Sequence, residues 1–321
     1  MSELKIALLG TPIVEHCGQR LTFYDRKTLA LLIYLATETG VHSRQKLARL
    51  LWTESDTAHG RAALRIALLH VRQALEEKTP AQHTAHLLIT HDTLGLDLSS
   101  GIELDLHAFE AAWTLLQQLP TPEMMPGEAR RTVIAHLQQA IAFYRGGFLD
   151  NFALRDAIDF DHWVGTQRQI WFKRMEQILD WLSQLQKAEG QIEQAIETVE
   201  RWRTYDALNE TVYLRLMQLH FSLGNRVAAL KTYETCQEVL RAELSARPSS
   251  KLQALADLIR NTSSAPRIKS SSFSSIWSHL DWPIRHFYCP KSTPGAPGSL
   301  ETKRNGPFVA LYRIEHLTAV H

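Results

Sequence analysis

The hydrophobic and polar positions of the first 23 residues form short runs of strand character. LKIALL and IVEH are separated by Thr11-Pro12, and Gly18-Gln19 turns the chain into RLTF. Runs of this length bounded by turn residues are typical of β-strands. The pattern predicts a small antiparallel sheet over residues 4–23.

Apolar residues at helical spacing follow directly. Asp25 is predicted to cap a helix that ends near Gly40, a second helix runs from Ser43 to Trp52, and a third from about Thr57 to Lys78. The third helix carries one apolar stripe, as the 3.6-residue period requires of a face buried in a core. Its members are Leu64, Leu68, Val71 and Leu75. The opposite face is therefore free to contact another molecule.

In residues 86–98, HLLITHDTLGLDL, apolar and polar positions alternate on both sides of His91-Asp92-Thr93. This pattern predicts a hairpin. A small sheet, three helices and a hairpin, in this order, are the elements of a winged helix-turn-helix. We therefore predict a small α+β domain of this type over residues 1–100.

From about residue 105 to Asn261 the pattern is helical almost throughout, and it repeats. Three pairs of residues lie 34 positions apart, which is the period of the tetratricopeptide repeat: Gly190 and Gly224, Leu185 and Leu219, and Ala195 and Ala229. We predict an all-α, tetratricopeptide-like domain over residues 101–262, in a chain that is mainly α. Two unrelated helical hairpins of similar length are the alternative.

The last segment, residues 263–321, is rich in Ser, Pro and Gly and is predicted to be a weakly structured tail. A docked segment is the alternative, because the tail also contains Trp277, Trp282, Phe287 and Tyr288.

Composition and charge exclude several classes of protein. The chain has 35 Lys+Arg against 34 Asp+Glu, so any contact with nucleic acid must come from local clustering of charge. No stretch approaches the roughly 20 apolar residues of a membrane span, and the N-terminal apolar run is too short for a secretory segment. Cys17, Cys236 and Cys289 lack the spacing of a disulfide framework or a zinc site. We expect a cytoplasmic protein that does not enter a membrane.

Signals of catalysis are weak. No GxxxxGK[ST] loop, HExxH motif or serine nucleophile elbow occurs in the sequence. Asp159, Asp161 and His162 form an acidic-histidine group, but no further metal ligands follow at a defined spacing, and the start of a capped helix is the favoured interpretation. We predict no enzymatic activity, no cofactor and no metal site.

Several separate segments together resemble one protein family. Arg26-Lys27 precedes LALLIYLA, the segment from Val41 to Leu47 leads to Leu51-Trp52, and ALRIALLHVRQAL follows. LDLHAFEAAW contains Asp-x-x-x-Phe, AIAFYRGGFLDNF contains Tyr-x-Gly-x-Phe-Leu, and Trp163 is followed by Arg168. In this order the segments resemble the bacterial transcriptional activation domain family, which includes the antibiotic-regulatory activators. The resemblance covers about residues 4–260.

The resemblance implies an OmpR/PhoB-type winged helix, followed by a tetratricopeptide-like module. It implies a sequence-specific DNA-binding regulator, an activator that binds promoter repeats through its third helix. The implied partners are double-stranded DNA, RNA polymerase and a second copy of the chain on DNA.

The candidate DNA contacts lie on the second and third helices. No Asp or Glu occurs between Asp56 and Glu76, so the third helix is locally cationic. Arginine and glutamine side chains recognise base edges, and apolar side chains contact thymine methyl groups. The candidates are Arg65, Arg61, His70, Gln73, Ile66 and Leu69 on the third helix, and Arg44, Lys46 and Arg49 on the second for phosphate contacts. Each cation could instead be a solvated surface charge.

Two features predict weak binding by a single copy. Leu69-His70 stands where the family tends to have polar and basic residues, and the predicted hairpin tip lacks Lys and Arg. We therefore expect binding that depends on dimerisation or tandem sites and that falls steeply with salt.

The alternative function is a helical-repeat interaction scaffold whose winged helix does not bind DNA. Five aromatic residues could then line a groove for a peptide or a second protomer: Trp171, Trp181, Trp202, Tyr205 and Tyr213. Filling of a repeat core is the favoured interpretation for these side chains.

Overall fold

The computed structural model describes residues 4–53, 57–75 and 86–262. The predicted end of the third helix at Lys78 and the predicted tail of residues 263–321 lie outside the described residues. The chain separates into two compact units, Met1–Met125 with Arg130–Trp202, and Pro126–Ala129 with the residues from Arg203 onward.

The chain is mainly helical with a small sheet region near its N-terminus, as predicted. The strands are β1 (Leu4–Ala7), β2 (Ile13–His16), β3 (Gln19–Arg20), β4 (Val41–Ser43), β5 (Leu87–Ile89), β6 (Thr93–Leu96) and β7 (Ile102–Leu104). The helices are α1 (Arg26–Thr37), α2 (Arg44–Leu51), α3 (Thr57–Ala74), α4 (Asp105–Leu116), α5 (Gly127–Phe143), α6 (Ile158–Ala188), α7 (Ile192–Tyr205), α8 (Glu210–Ser222), α9 (Arg226–Leu244) and α10 (Ser250–Asn261).

The first sheet is mixed rather than purely antiparallel. β1 and β2 form the predicted antiparallel pair, and β3 extends it at the edge of β2. The other edge of β1 pairs in parallel with β7, with Leu4 opposite Ile102, which gives the order β3-β2-β1-β7. The sequence analysis did not predict this pairing because β7 lies about a hundred residues away.

Side-chain caps fix the beginnings of α1 and α2. The Asp25 cap and the start of the second helix at Ser43 were predicted, whereas capping by Ser43 was not. The Asp25 carboxylate accepts a hydrogen bond from the backbone N–H of Thr28 at 2.7 Å, and the Ser43 hydroxyl accepts one from that of Lys46 at 3.2 Å. Such caps satisfy backbone donors that the first helical turn leaves unpaired. The predicted apolar stripe of α3, from Leu64 to Leu75, is buried.

The hairpin predicted over residues 86–98 is formed by β5 and β6. β4, which the sequence analysis did not predict, pairs with β6 and places Val41 opposite Gly95. A Cβ atom at Gly95 would lie 2.6 Å from the carbonyl oxygen of Gly40. Only glycine allows the two strands to approach this closely.

Backbone hydrogen bonds join the end of β1 to the segment YRGGFL of residues 144–149. The N–H of Arg145 donates to the carbonyl of Leu9 at 3.1 Å, the N–H of Gly10 to Gly147 at 3.0 Å, and the N–H of Leu149 to Leu8 at 3.0 Å. A Cβ atom at Gly10, whose φ is +124°, would lie 3.1 Å from the Cβ of Arg145. The Tyr-x-Gly-x-Phe-Leu signature therefore attaches this part of the helical region to the N-terminal sheet.

Three further side chains reinforce that attachment. The buried Asp105 carboxylate accepts hydrogen bonds from the N–H groups of Leu8 at 2.7 Å and Leu9 at 2.8 Å. The Arg168 guanidinium donates to carbonyls of the segment after YRGG, and the Trp163 indole donates to the Glu38 carboxylate at 2.7 Å. The residues that carry the family resemblance thus hold the first unit together.

The 34-residue period corresponds to equivalent places in successive helices. Gly190 lies between α6 and α7 and Gly224 between α8 and α9, with φ values of +79° and +76°. Leu185 and Leu219 are buried in the last turns of α6 and α8, and Ala195 and Ala229 in the first turns of α7 and α9. The repeated residues therefore have the same structural roles in both places.

The aromatic residues of the helical region fill cores more than they line a surface. Trp171, Trp202 and Tyr213 are buried, and Trp181 and Tyr205 are half-buried. Among the described helices, none combines the length and apolar character that crossing a membrane requires.

Candidate nucleic-acid interface

The exposed face of α3 contains most of the candidate base contacts. Residues four apart are neighbours on a helix surface, so they form rows along it. One row is entirely exposed and consists of Arg61, Arg65, Leu69 and Gln73. The row beside it consists of Ala62, Ile66 and His70. Leu69 and Ile66 are 51% and 57% exposed and add apolar surface to this face.

The charge of this face is positive. α3 contains no Asp or Glu. Arg61 and Arg65 are exposed and make no hydrogen bond or ion pair with the other described residues. Their guanidinium groups are therefore available to an anionic partner.

His70 lies at the edge of the exposed face. Its ring stands 4.5 Å from that of Tyr24, and its Nδ1 is buried without a hydrogen-bond partner among the described residues. A base contact from His70 would therefore have to use Nε2. Tyr24 is 82% exposed, and the sequence analysis missed it because it belongs to a loop with no periodic pattern.

The three cations of α2 have different environments. The Arg44 guanidinium donates to the carbonyl of Thr90 at 2.9 Å and 3.3 Å, and so ties α2 to the hairpin turn. Lys46 is exposed with its Nζ 5.6 Å from the centre of the Tyr34 ring, and a hydrogen bond to Tyr34 raises the pKa of this lysine. Arg49 is exposed near the end of α2.

An acidic side chain lies close to two of these cations. Asp159, from the first turn of α6, lines the same shallow groove as Lys46 and Arg49. A phosphate at this place would be attracted by the two cations and repelled by the carboxylate. α2 is therefore a weaker candidate for an anion contact than α3.

The hairpin turn is held by hydrogen bonds and carries no Lys or Arg. The Thr90 hydroxyl accepts hydrogen bonds from the N–H groups of Asp92 and Thr93, at 3.3 Å and 2.9 Å. At the tip, the His91 ring pairs with the Asp92 carboxylate at 2.7 Å, and both side chains are exposed. The tip therefore offers no Lys or Arg side chain to a phosphate.

The described residues contain no group of three or more His, Cys, Asp and Glu that could hold a metal ion. Asp159 and Asp161 lie in the first turn of α6, where carboxylates interact favourably with the helix dipole. This placement agrees with the predicted helix start, but the predicted capping is wrong, because the N-cap residue is Ala157 and no side chain of the described residues makes a capping hydrogen bond.

Comparison with known proteins finds a family match for the helical region. Residues 104–260 match the family described as the bacterial transcriptional activator domain. Members of this family are transcription regulators of the activator kind rather than enzymes. No protein of curated function matches the chain significantly.

One similar solved structure is that of Mycobacterium tuberculosis EmbR in complex with a low-affinity phosphopeptide. It is 19% identical, with a TM-score of 0.62, and the match covers 81% of this chain and 65% of that one. The chain therefore spans less than two thirds of the EmbR structure. At this identity the likeness concerns the fold.

Proposed function

We propose that this chain, whose residues 104–260 form a bacterial transcriptional activator domain, binds DNA through α3 and activates transcription. The observation that carries the proposal is the exposed, acid-free face of α3 with its two unpaired arginines. The three helices and the hairpin of the N-terminal region support its assignment as an OmpR/PhoB-type winged helix. In such folds the last of the three helices enters the major groove.

Arg65 is the central contact in this proposal. It lies between Arg61 and Leu69 in the exposed row, so it reaches base edges when the helix lies in the groove. A guanidinium that binds the O6 and N7 atoms of guanine is the commonest specific contact with DNA. Gln73, in the same row, is placed to hydrogen-bond a base or a phosphate.

Lys46 and Arg49 are the proposed phosphate contacts of α2, with Asp159 limiting their strength. We assign Arg44 a positioning role, because its guanidinium already holds the hairpin turn. The few cations of this surface favour binding by two copies on repeated sites, with RNA polymerase as the partner that activation requires. The repeated positions of α6 to α9 support a tetratricopeptide-like character for the helical region.

A second candidate function is an interaction scaffold that does not bind DNA. The exposed apolar side chains of Ile66, Leu69 and Tyr24 favour it, because contiguous exposed apolar surface often marks a protein-binding site. The two functions differ in whether Arg65 matters for DNA binding.

The test is selection of binding sites from random double-stranded DNA by the purified chain at two salt concentrations. We expect the wild type to enrich a repeated motif and Arg65→Glu to weaken binding to it by about five- to 150-fold, since a base contact of this kind contributes roughly 1–3 kcal/mol. Arg241→Glu, which changes an exposed arginine of α9, is the matched control and should bind like the wild type. If the wild type enriches no motif at either salt concentration, the scaffold becomes the better proposal.

Ile66 and Leu69 supply a second prediction. In the DNA-binding proposal these side chains contact thymine methyl groups, so replacing the contacted thymine by deoxyuridine should weaken binding by about 0.8 kcal/mol, roughly fourfold. Leu69→Ala should bind thymine and uracil operators equally well. A wild-type affinity that is the same for both operators at every position would show that the apolar residues have another role.

A further inference from the structure

A groove of about 560 Å³ lies beside α3 in the first compact unit. Ala63, Ile66 and Ala67 of α3 line one side. The other side is the segment of residues 153–156, which belongs to the activator domain. A segment of the activator domain therefore stands next to the helix that we propose contacts DNA.

The groove and the arginines of α3 lie on opposite flanks of that helix. At 100° per residue, Arg65 and Arg61 lie about 40° and 80° to one side of Leu69, and Ile66 and Ala63 about 60° and 120° to the other. A helix in the major groove has a phosphate backbone on each side. Arg61, farther from Leu69 than the base-contacting Arg65, lies toward one backbone, whereas on the other flank α3 itself provides no Lys or Arg.

The groove supplies cations on that second flank. Its charged residues are Arg26, Lys27, Arg155, Asp25 and Asp156. Asp25 is engaged in capping α1, and Arg26 donates to the carbonyl of Asn151 at 3.2 Å and lies 5.1 Å from the Phe152 ring centre. The ammonium group of Lys27 lies 5.6 Å from the centre of the Trp52 ring.

Arg155 differs from these residues because it makes no hydrogen bond or ion pair with the other described residues. Its side chain is exposed, while its neighbours Leu154 and Ala157 are buried and anchor the segment. An anchored backbone therefore presents an unpaired guanidinium beside α3. The planar guanidinium matches the geometry of a phosphate group.

We propose that Arg155 binds the phosphate backbone on the flank of α3 opposite Arg61 and Arg65. The activator domain then takes part directly in DNA binding. This inference rests on the proposed function of α3. Asp156, which is also exposed, faces the same groove and opposes the contact by repelling the phosphates.

Opposite effects of two neighbouring variants test the proposal. The full-length chain is titrated with its selected operator at several salt concentrations, as wild type, Arg155→Gln and Asp156→Asn. Each lost phosphate contact reduces the slope of log K against log salt by about 0.9, so Arg155→Gln should weaken binding about fivefold near physiological salt. Asp156→Asn should strengthen binding, and asparagine tolerates the positive φ of +59° at this position.

Arg241→Gln is the matched control, because it removes one exposed arginine of the second compact unit and should leave the slope unchanged. The inference is overturned if the wild type binds its operator with a steep salt dependence but Arg155→Gln and Asp156→Asn both match it. If the wild type selects no operator, the proposed function of α3 is contradicted, and this inference with it. The two failures are distinguishable, because only the failure of the proposed function abolishes selection by the wild type.

Discussion

Replacing Asp105 by alanine is expected to lower the free energy of unfolding of the first compact unit by about 3–5 kcal/mol. One carboxylate oxygen of Asp105 accepts the N–H groups of both Leu8 and Leu9, and the side chain is almost completely buried. Alanine leaves both amide donors buried without an acceptor, and an unsatisfied buried polar group costs about 1–3 kcal/mol. The measurement is urea unfolding followed by tryptophan fluorescence, because every tryptophan of the described residues lies in this unit.

Asp105→Asn is the matched control for this variant. The asparagine carbonyl oxygen can accept the same two N–H groups, but its NH2 group takes the place of Oδ1, which is buried without a hydrogen-bond partner among the described residues. Asparagine should therefore retain only part of the stability that alanine loses. An asparagine variant as unstable as the alanine variant would contradict the stabilising role of the acceptor oxygen.

The pH dependence of stability provides an independent check on Asp105. Burial raises the pKa of its carboxyl above the ordinary value, against the opposing effects of the Leu9 and Leu8 N–H groups and of Arg145. Between the ordinary and the raised pKa, the folded state binds more protons than the unfolded state, so this group makes stability fall as the pH rises through that range. Below the ordinary value its contribution is fully present. Asp105→Asn should lack this component of the pH profile.

Replacing Arg168 by alanine is expected to lower the free energy of unfolding by about 2–3 kcal/mol. Its guanidinium donates to the carbonyls of Phe148 at 2.9 Å, Leu149 at 2.7 Å and Phe152 at 3.3 Å. Three carbonyls of one irregular segment thus accept from one side chain, although that of Leu149 also accepts the N–H of Phe152 at 3.1 Å, and the three residues that carry them are buried. The same fluorescence-detected unfolding in urea measures the loss.

Arg168→Lys tests whether the planar shape of the guanidinium or its positive charge accounts for the lost stability. A single ammonium group cannot reproduce the planar fork that reaches three carbonyls, so lysine should recover only a minor part of the lost stability. Arg155→Gln, in the same region but without a hydrogen bond to the described residues, should leave the unfolding midpoint unchanged. Equal losses in Arg155→Gln and Arg168→Ala would contradict the structural role assigned to Arg168.

Much of the local structure could be predicted because its causes are local. Asp25 and Ser43 cap helices that begin within three residues of them, and the apolar stripe of α3 is a property of one helix. The exposure of Arg61, Arg65 and Leu69 follows from the same periodicity. The candidate site on α3 was therefore accessible from the sequence, whereas its binding to DNA is still a proposal.

Features that depend on distant residues had no comparable signal. The strand β4 has only three residues, which are too few for a periodic pattern. Its pairing with β6 requires that residue 95 have no side chain, as is the case for Gly95. The parallel pairing of β1 with β7 joins residues about a hundred positions apart. The engagement of Arg44 by the hairpin turn could not be foreseen either, because Thr90 lies 46 positions away.

The sequence by itself determined the first three helices, the β5–β6 hairpin, the Asp25 cap, the 34-residue period and the motifs of the helical region, since each depends on residues close together along the chain or on a fixed spacing. Only the tertiary structure decided what those motifs do. Asp105 and YRGGFL bond to the backbone at the end of β1, and Arg168 holds carbonyls of the segment that contains Phe148. The tertiary structure also decided that Arg155 stands beside α3. These contacts join backbone groups and side chains that are far apart along the chain. A local pattern of hydrophobicity or charge therefore does not predict them.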